Sequence, residues 1–428
     1  MKRKHFIYSL GLGAVAPSVL KGGEWLERVP KGDPNDEKFW EDLARSFPKY
    51  YQKGGKQWGA NIVNLENGYF SHMPPEVFLA QVAHENHIND STSLFMRLEQ
   101  QDEIEKSRIA FAQSQNLDPD ELAFTRNTTE SLNAVIMGFP WKAGDEVVIG
   151  NQDYGSMVEA FEQVSKRYGV VVKVANVPLS PETDEDVVAA YLKEMTSKTR
   201  MVHITHLINL SGQILPLQKV LNAVKAFKSD VMTVVDAAHS VNHVVLKMGD
   251  LLQADAIGAS LHKWTCAPIG VGMLVVKKDW ISSIWPLMGD SGDPKNIRKF
   301  EHQGTRPINS LMTLRKAIEF GEKIGGAFPK WNRLVFLRNL ILGSEGNGFK
   351  VNESGSYHLV CDEDRLGAIC CIKHKGMTVS ELQKSLVKEG IFTVGIEHKV
   401  VQGVRITPHL SNSKSDALRL NSALAKLA

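Results

Sequence analysis

The sequence predicts an α/β protein: a large domain built on a mostly parallel sheet covered by helices, then a smaller α+β C-terminal domain. Two observations carry that expectation. From Asn61, over roughly two hundred residues, short apolar runs alternate with segments whose apolar residues recur at spacings of three and four. After Pro307 the order changes to long helices, then to strands around one helix. A chain of 428 residues is long enough for two or three domains and a large buried core.

The elements follow in order. Residues 21–60 are polar and rich in Gly, Lys and Trp, with a helix around Asp36–Phe47. Glu76–His87 and Leu94–Gln115 have helical spacing. Ala123–Thr125 reads as a strand and Thr128–Gly138 as the helix after it. Strand Asp145–Gly150 precedes helix Ser156–Tyr168, and strand Val170–Ala175 precedes helix Asp184–Lys193. Strand Met201–Thr205 precedes helix Leu217–Phe227. Val231–Val235 is a strand ending at Asp236, and strands Ala256–Ser260 and Val271–Val276 flank Lys263. Gly289–Gln303 reads as a loop and Pro307–Leu342 as long helices. Strands Tyr357–Cys361 and Ala368–Lys373, helix Val379–Glu389 and strand Gly403–Ile406 complete the smaller domain. The expected division is a leader at 1–35, an N-terminal segment at 36–64 that packs with the small domain, the large domain at 65–306 and the small domain at 307–428.

Bulk properties narrow the function. Lys+Arg number 50 against 48 Asp+Glu, and there is no long basic stripe, so a nucleic-acid partner is not expected. The four cysteines form no Cys-x-x-Cys pair, and His84-Glu-Asn-His87 is one residue short of the zinc-protease spacing, so no metal site is expected. Cys370 and Cys371 read as buried thiols on opposite faces of a strand. Gly11-Leu-Gly13-Ala-Val-Ala16 has glycines like a dinucleotide fingerprint, but no strand precedes it. Lys2-Arg3-Lys4-His5-Phe6-Ile7 ahead of the apolar stretch to Leu20 resembles a twin-arginine export signal with lysine in the second place. That gives a periplasmic location, or a cytoplasmic one if the leader is not a signal. The stretch is too short for a membrane span.

Chemistry concentrates at two positions. Lys263 lies in Gly258-Ala-Ser-Leu-His-Lys-Trp264, and Asp236 opens Asp236-Ala-Ala-His-Ser240 at the end of an apolar run. A lysine amine forms a Schiff base with an aldehyde cofactor. A carboxylate keeps a pyridine nitrogen protonated and makes the ring an electron sink. Together they point to pyridoxal 5'-phosphate (PLP).

The other parts such a cofactor needs are present. Arg126-Asn-Thr-Thr-Glu-Ser-Leu-Asn133 places Thr128 and Thr129 at a helix N-terminus, where amides and hydroxyls hold a phosphate; plain N-capping is the alternative. Ser260 and His262 add two phosphate ligands, sharing one face of an extended segment while Lys263 takes the other. Asn209 and His239 are placed to hydrogen-bond the ring's phenolic oxygen, and Tyr154 to lie over the ring. A core aromatic at Tyr154, and satisfied loop residues at Asn209 and His239, are the alternatives.

Thr-Thr-Glu-Ser-Leu-Asn, Asn209 with Gly212 and Pro216, Asp236-Ala-Ala-His239 and Ser260-Leu-His-Lys263 occur in that order. As a set they resemble the class V aminotransferase family of fold-type I PLP-dependent enzymes. Asn67-Gly68-Tyr69, Tyr154 and His239 are similar to its isopenicillin N epimerase-like branch. The resemblance implies a PLP-dependent transferase fold with a seven-stranded sheet. It implies a homodimer, because Gln303-Gly-Thr305-Arg306 resembles the segment whose threonine reaches the partner's cofactor phosphate. It also implies that Arg405, in Val404-Arg-Ile-Thr-Pro408, grips the substrate's α-carboxylate, a task for which a planar guanidinium is suited. Cysteine desulfurases carry a nucleophilic cysteine shortly before this arginine; Gly390–Val401 has none.

The expected activity is therefore PLP-dependent chemistry at the α-carbon of an amino acid, with Lys263 as general base. Transamination and epimerisation stand first, with Tyr154 or His239 as a second proton donor for the latter. A β-lyase is the alternative, and a non-catalytic PLP or amino-acid binding protein the second.

Overall fold

The computed structural model describes residues 29–47 and 62–428. Among these described residues thirteen strands follow in chain order. They are β1 (Val63–Asn64), β2 (Leu122–Thr125), β3 (Glu146–Gly150), β4 (Val171–Ala175), β5 (Thr199–Thr205), β6 (Met232–Asp236), β7 (Ala256–Ser260), β8 (Gly272–Val276), β9 (Tyr357–Leu359), β10 (Cys370–His374), β11 (Ile391–Phe392), β12 (Val394–Glu397) and β13 (Gln402–Ile406).

The central strands are apolar at nearly every position because both faces of their sheet are covered. Val202, Ile204, Val235 and Ile257 pack into one apolar layer. Their neighbours Met201, Val234 and Ala256 pack into the layer on the other side. This seven-stranded sheet has the order β2-β8-β7-β6-β5-β3-β4. Only β8 runs against the rest, pairing antiparallel with both β2 and β7. Strands β2, β3, β5, β6 and β7 thus end on one edge of the sheet, where ligands bind in open α/β folds. A four-stranded antiparallel sheet, β12-β13-β10-β9, forms the smaller unit. Its apolar face packs on helices Ala327–Leu342, Val379–Lys388 and Lys414–Leu427.

Most expected elements are present within one or two residues, and helices Thr128–Gly138 and Leu217–Phe227 have the expected bounds. The helix expected over 94–115 is two, Ser93–Leu98 and Gln100–Ser114, broken at Glu99, where φ is −118°. The stretch 307–342 also holds two helices, Ile308–Lys323 and Ala327–Leu342, separated by Gly325 and Gly326 at φ +91° and +81°. Within Gly289–Gln303, residues Ile297–Glu301 form a 3-10 turn rather than open loop.

The segment 260–263 is not extended. Strand β7 ends at Ser260, and Leu261–Thr265 is a turn in the β7–β8 connection. The alternating-face argument for Ser260, His262 and Lys263 therefore does not hold. Strands β1, β11 and β12 and the helix Lys414–Leu427 were not anticipated.

The N-terminal helix Glu37–Ser46 meets the far end of the chain. Its Glu37 carboxylate accepts from Arg333, and Glu41 from the Lys414 amide. The strap behind it pairs β1 with β11 and joins Glu66 to Thr407. It ends at Ser71, whose N–H reaches the His262 carbonyl at 3.0 Å. The leader with its export-like pattern lies outside the described residues.

Candidate active site

Lys263 and Asp236 come together beyond the strand ends. Asp236 closes β6 on the face that carries Met232 and Val234, and it is buried. Its Oδ1 accepts the Ala238 amide at 2.9 Å. Burial pushes the carboxyl pKa up, and His203 on β5 opposes that shift. His203 is also buried, with Nδ1 2.7 Å from Asp153 Oδ2. Burial alone would keep that imidazole neutral, but Asp153 and Asp236 outweigh it and its pKa is raised. Burial lowers the Lys263 ammonium pKa to about 8, with Asp236 pulling upward and Arg405 pushing further down. Lys263 is thus a readily deprotonated amine within the field of a buried carboxylate.

Next to it lies a cup of hydroxyls and amides. Asn127 caps the helix Thr128–Gly138 by accepting from the Glu130 amide. Thr128 follows as the first helical residue. Its Oγ1 stands 2.7 Å from Ser260 Oγ, and its amide donates to the same oxygen at 2.9 Å. Gly272, paired with Ser260, makes this approach possible: a Cβ there would lie 2.6 Å from the Asn127 nitrogen. Thr129 is half-buried in the same first turn, and His262 follows Ser260 by two residues, its pKa lowered to about 4 by burial.

On the other side stand His239, Asn209, Tyr154 and Arg405. Lys263 Nζ is 3.0 Å from His239 Nε2. Tyr154 is 43% exposed at the head of helix Gly155–Tyr168. Asn209 lies in the turn after β5. Gly212 shapes that turn at φ +87°, where a Cβ would lie 2.0 Å from the Ile369 carbonyl oxygen. Arg405, on β13, reaches back to donate to the Asn209 carbonyl at 3.0 Å and to Glu66 at 2.6 Å.

Buried polar atoms nearly always have partners. Four atoms here have none: Asn209 Oδ1, His262 Nδ1, Arg405 Nε and Glu66 Oε2. Unused hydrogen-bonding atoms on residues grouped around a lysine amine fit a polar aromatic cofactor with a phosphate. Among the described residues no group of His, Cys, Asp and Glu is placed to hold a metal ion.

Thr305 stands apart from these residues. It is exposed, on a segment tied down by Gln303, which donates to Glu130 at 2.7 Å, and by Arg306 on the Phe124 carbonyl. All four cysteines are buried, and burial pushes the Cys361 and Cys370 thiols up to about 12.

Sequence reasoning passed over Glu66, which adjoins the Asn67-Gly68-Tyr69 motif, and Trp264, which follows the lysine. It also missed Asp153 and His203. Glu66 carries no local signal, but a histidine inside an apolar strand run is a visible anomaly at His203.

The fold and this arrangement define a PLP-dependent enzyme of fold type I. Residues 71–402 match the family model described as aminotransferase class-V, and the chain belongs to that family. It is 25% identical over 281 residues to the isopenicillin N epimerase of Streptomyces clavuligerus, a match covering 62% of this chain and 70% of that protein. It is 30% identical over 234 residues to a probable cysteine desulfurase of Pyrococcus abyssi, covering 52% of this chain and 56% of that one. Among solved structures it is similar to the cystine C–S lyase C-DES in complex with cysteine persulfide. That TM-score is 0.75 at 21% identity, covering 86% of this chain and 98% of the other. The apo cysteine desulfurase of Thermococcus onnurineus superposes with a TM-score of 0.73 at 19% identity, over 90% and 97% of the two chains.

Proposed function

We propose that the protein acts at the α-carbon of an amino acid by transamination or epimerisation. The observation that carries this reading is the Lys263 amine, lowered to about 8 and set within the fields of Asp236 and Arg405. It joins a group able to take and return a proton near neutral pH to a cation able to hold a carboxylate.

Bound PLP supplies an electron sink conjugated to the α-carbon. The chain's own residues do the rest. Thr128, Thr129, Ser260 and His262 hold the phosphate. Asn209 and His239 hydrogen-bond the phenolic oxygen, and Tyr154 covers the ring. Asp236 keeps a proton on the ring nitrogen. Arg405 orients the substrate by its carboxylate, and Lys263 takes the α-proton. Delivery of a second proton to the opposite face, from Tyr154 or His239, while Lys263 keeps the one it took, gives epimerisation.

A β-lyase is the second reading, since the same proton removal sets up loss of a β-substituent. A persulfide-forming desulfurase is disfavoured: Gly390–Val401 holds no cysteine, and burial holds the thiol of Cys371 up. Incubation of the purified protein with an amino-acid panel decides. Keto-acid formation supports transamination and accumulation of the D-isomer supports epimerisation. Pyruvate with ammonia would replace both with the lyase. No spectral change with any amino acid would leave a binding protein.

The exposed Thr305 supports a homodimer in which it reaches the partner's cofactor; a monomer by analytical ultracentrifugation would remove that role. The leader supports export to the periplasm, with the cytoplasm as the alternative, and cell fractionation separates them.

A further inference from the structure

Trp264 has no place in the chemistry above, yet its buried indole is aimed at the site. Its Nε1–H donates to His239 Nδ1 at 3.2 Å, while Lys263 Nζ lies 3.0 Å from the other ring nitrogen, Nε2. An indole N–H only donates, so Nδ1 is the nitrogen without a hydrogen. The neutral ring must then carry its hydrogen on Nε2, facing the lysine.

We propose that Trp264 is a positioning residue that fixes His239 in its Nε2–H form and thereby favours the free amine of Lys263, the form that attacks an aldehyde. The inference rests on the PLP reading for its purpose, but not for its geometry. A lysine ammonium at this distance would set N–H against N–H. The neutral amine accepts the Nε2–H instead.

The surroundings hold this relay still. The His243 ring stacks on Trp264, centroids 3.6 Å apart and planes 20° off parallel. His243 is itself assigned by its partners: Nδ1 donates to the His239 carbonyl, and Nε2 accepts the Ala368 amide. The buried Lys330 ammonium donates to the Trp264 carbonyl, and Ser71 Oγ donates to the Lys263 carbonyl at 2.5 Å. The charges agree as well. Burial, then Lys263, Arg405, His243 and His262, all disfavour a cationic His239. Lys263 faces Asp236 and Glu66, which favour its cation, and Arg405, which opposes it; burial outweighs the carboxylates.

The test reads the lysine directly. The full chain, freed of cofactor, is labelled competitively with acetic anhydride across roughly pH 6 to 10, and acetylation of Lys263 is followed by mass spectrometry. The wild-type midpoint is expected at about 8. Trp264→Phe keeps an aromatic ring against His243 but removes the N–H, which frees His239 to accept from the ammonium. Its midpoint should rise by about one pH unit, the size of one hydrogen bond. Should that variant lose its fold by circular dichroism, benzothienylalanine at 264 keeps the indole shape with sulfur in place of N–H, and the same rise is expected. An unmoved midpoint in a folded protein lacking the N–H overturns the proposal. The labelling needs no cofactor. Failure of PLP to colour the wild-type protein would therefore sink the cofactor reading, while the midpoint alone decides the relay.

Discussion

The Glu66 carboxylate lies 2.6 Å from the Arg405 guanidinium, and their side chains are only 11% and 9% exposed. The cation expected to grip the substrate thus already holds a carboxylate from its own chain. Substrate capture at Arg405 becomes an exchange of one carboxylate for another, and Glu66 sets how hard that exchange is.

Two variants separate the roles in this pair. Arg405→Ala should raise KM roughly ten- to a hundredfold, since a charged hydrogen bond contributes about 1.5–3 kcal/mol. Glu66→Gln should lower KM, because the competing charge is gone. It should also lower Tm, because Arg405 is left with an uncompensated charge. An unchanged KM in Arg405→Ala removes that arginine from the substrate site, and a raised KM in Glu66→Gln shows that Glu66 orients rather than competes.

Lys263→Ala should abolish the visible absorbance of the bound cofactor and all turnover, because the side chain at 263 supplies both the covalent anchor and the base. Weak cofactor binding should survive through Thr128, Ser260 and the helix N-terminus, detectable as fluorescence quenching by added PLP. A variant that keeps the visible band would mean another lysine forms the link.

Glu301 secures the edge strand that leads into Thr128. It accepts from the fully buried Arg108 at 2.6 and 3.0 Å and from the Phe124 amide at 2.6 Å. Glu301→Ala leaves Arg108 paired with Glu105 and the Leu122 carbonyl but removes its bonds to Glu301, and should cost about 1.5–3 kcal/mol. Glu301→Gln keeps an acceptor and should cost less. Urea denaturation measures both, and a wild-type midpoint for the alanine variant would show that the pair contributes nothing.

The sequence made Asp236 legible because an apolar run of strand period stops there, and Thr128 legible because a capping pattern precedes a helical one. Extending strand periodicity past Ser260 failed because the chain turns at Leu261, a change set by pairing with β8 and not by local composition. Glu66 was illegible for a related reason: its partner is 339 positions away. The two-residue strands β1 and β11 are too short to show a period, although their pairing places Glu66. The helix Lys414–Leu427 was recoverable, since Ser413 and Asp416 form a capping box at its start.

The histidines predict how stability follows pH. His206, His239, His243 and His409 are buried, and burial is the largest cause lowering the pKa of each, His206 to about 4 and His243 to about 3. In the unfolded chain each takes up a proton near pH 6.5. Below that pH the unfolded state holds more protons than the folded one, so stability is lost as pH falls. His203, raised by Asp153 and Asp236 against the burial that would lower it, changes stability only above pH 6.5 and is protonated in both states below it. Carboxylates such as Glu105, lowered to about 2 by its bond to Arg298, begin to contribute only below about pH 4.5. The interval from about 6.5 to 4.5 is therefore governed by the histidines, each contributing up to about 1.4 kcal/mol per pH unit, with the burial-raised Asp236 carboxyl opposing them towards its acid end. Tm measured at constant ionic strength should fall steadily across that interval. A flat profile would mean that these imidazoles gain protons in the folded protein, and the neutral His239 on which Lys263 depends would go with it.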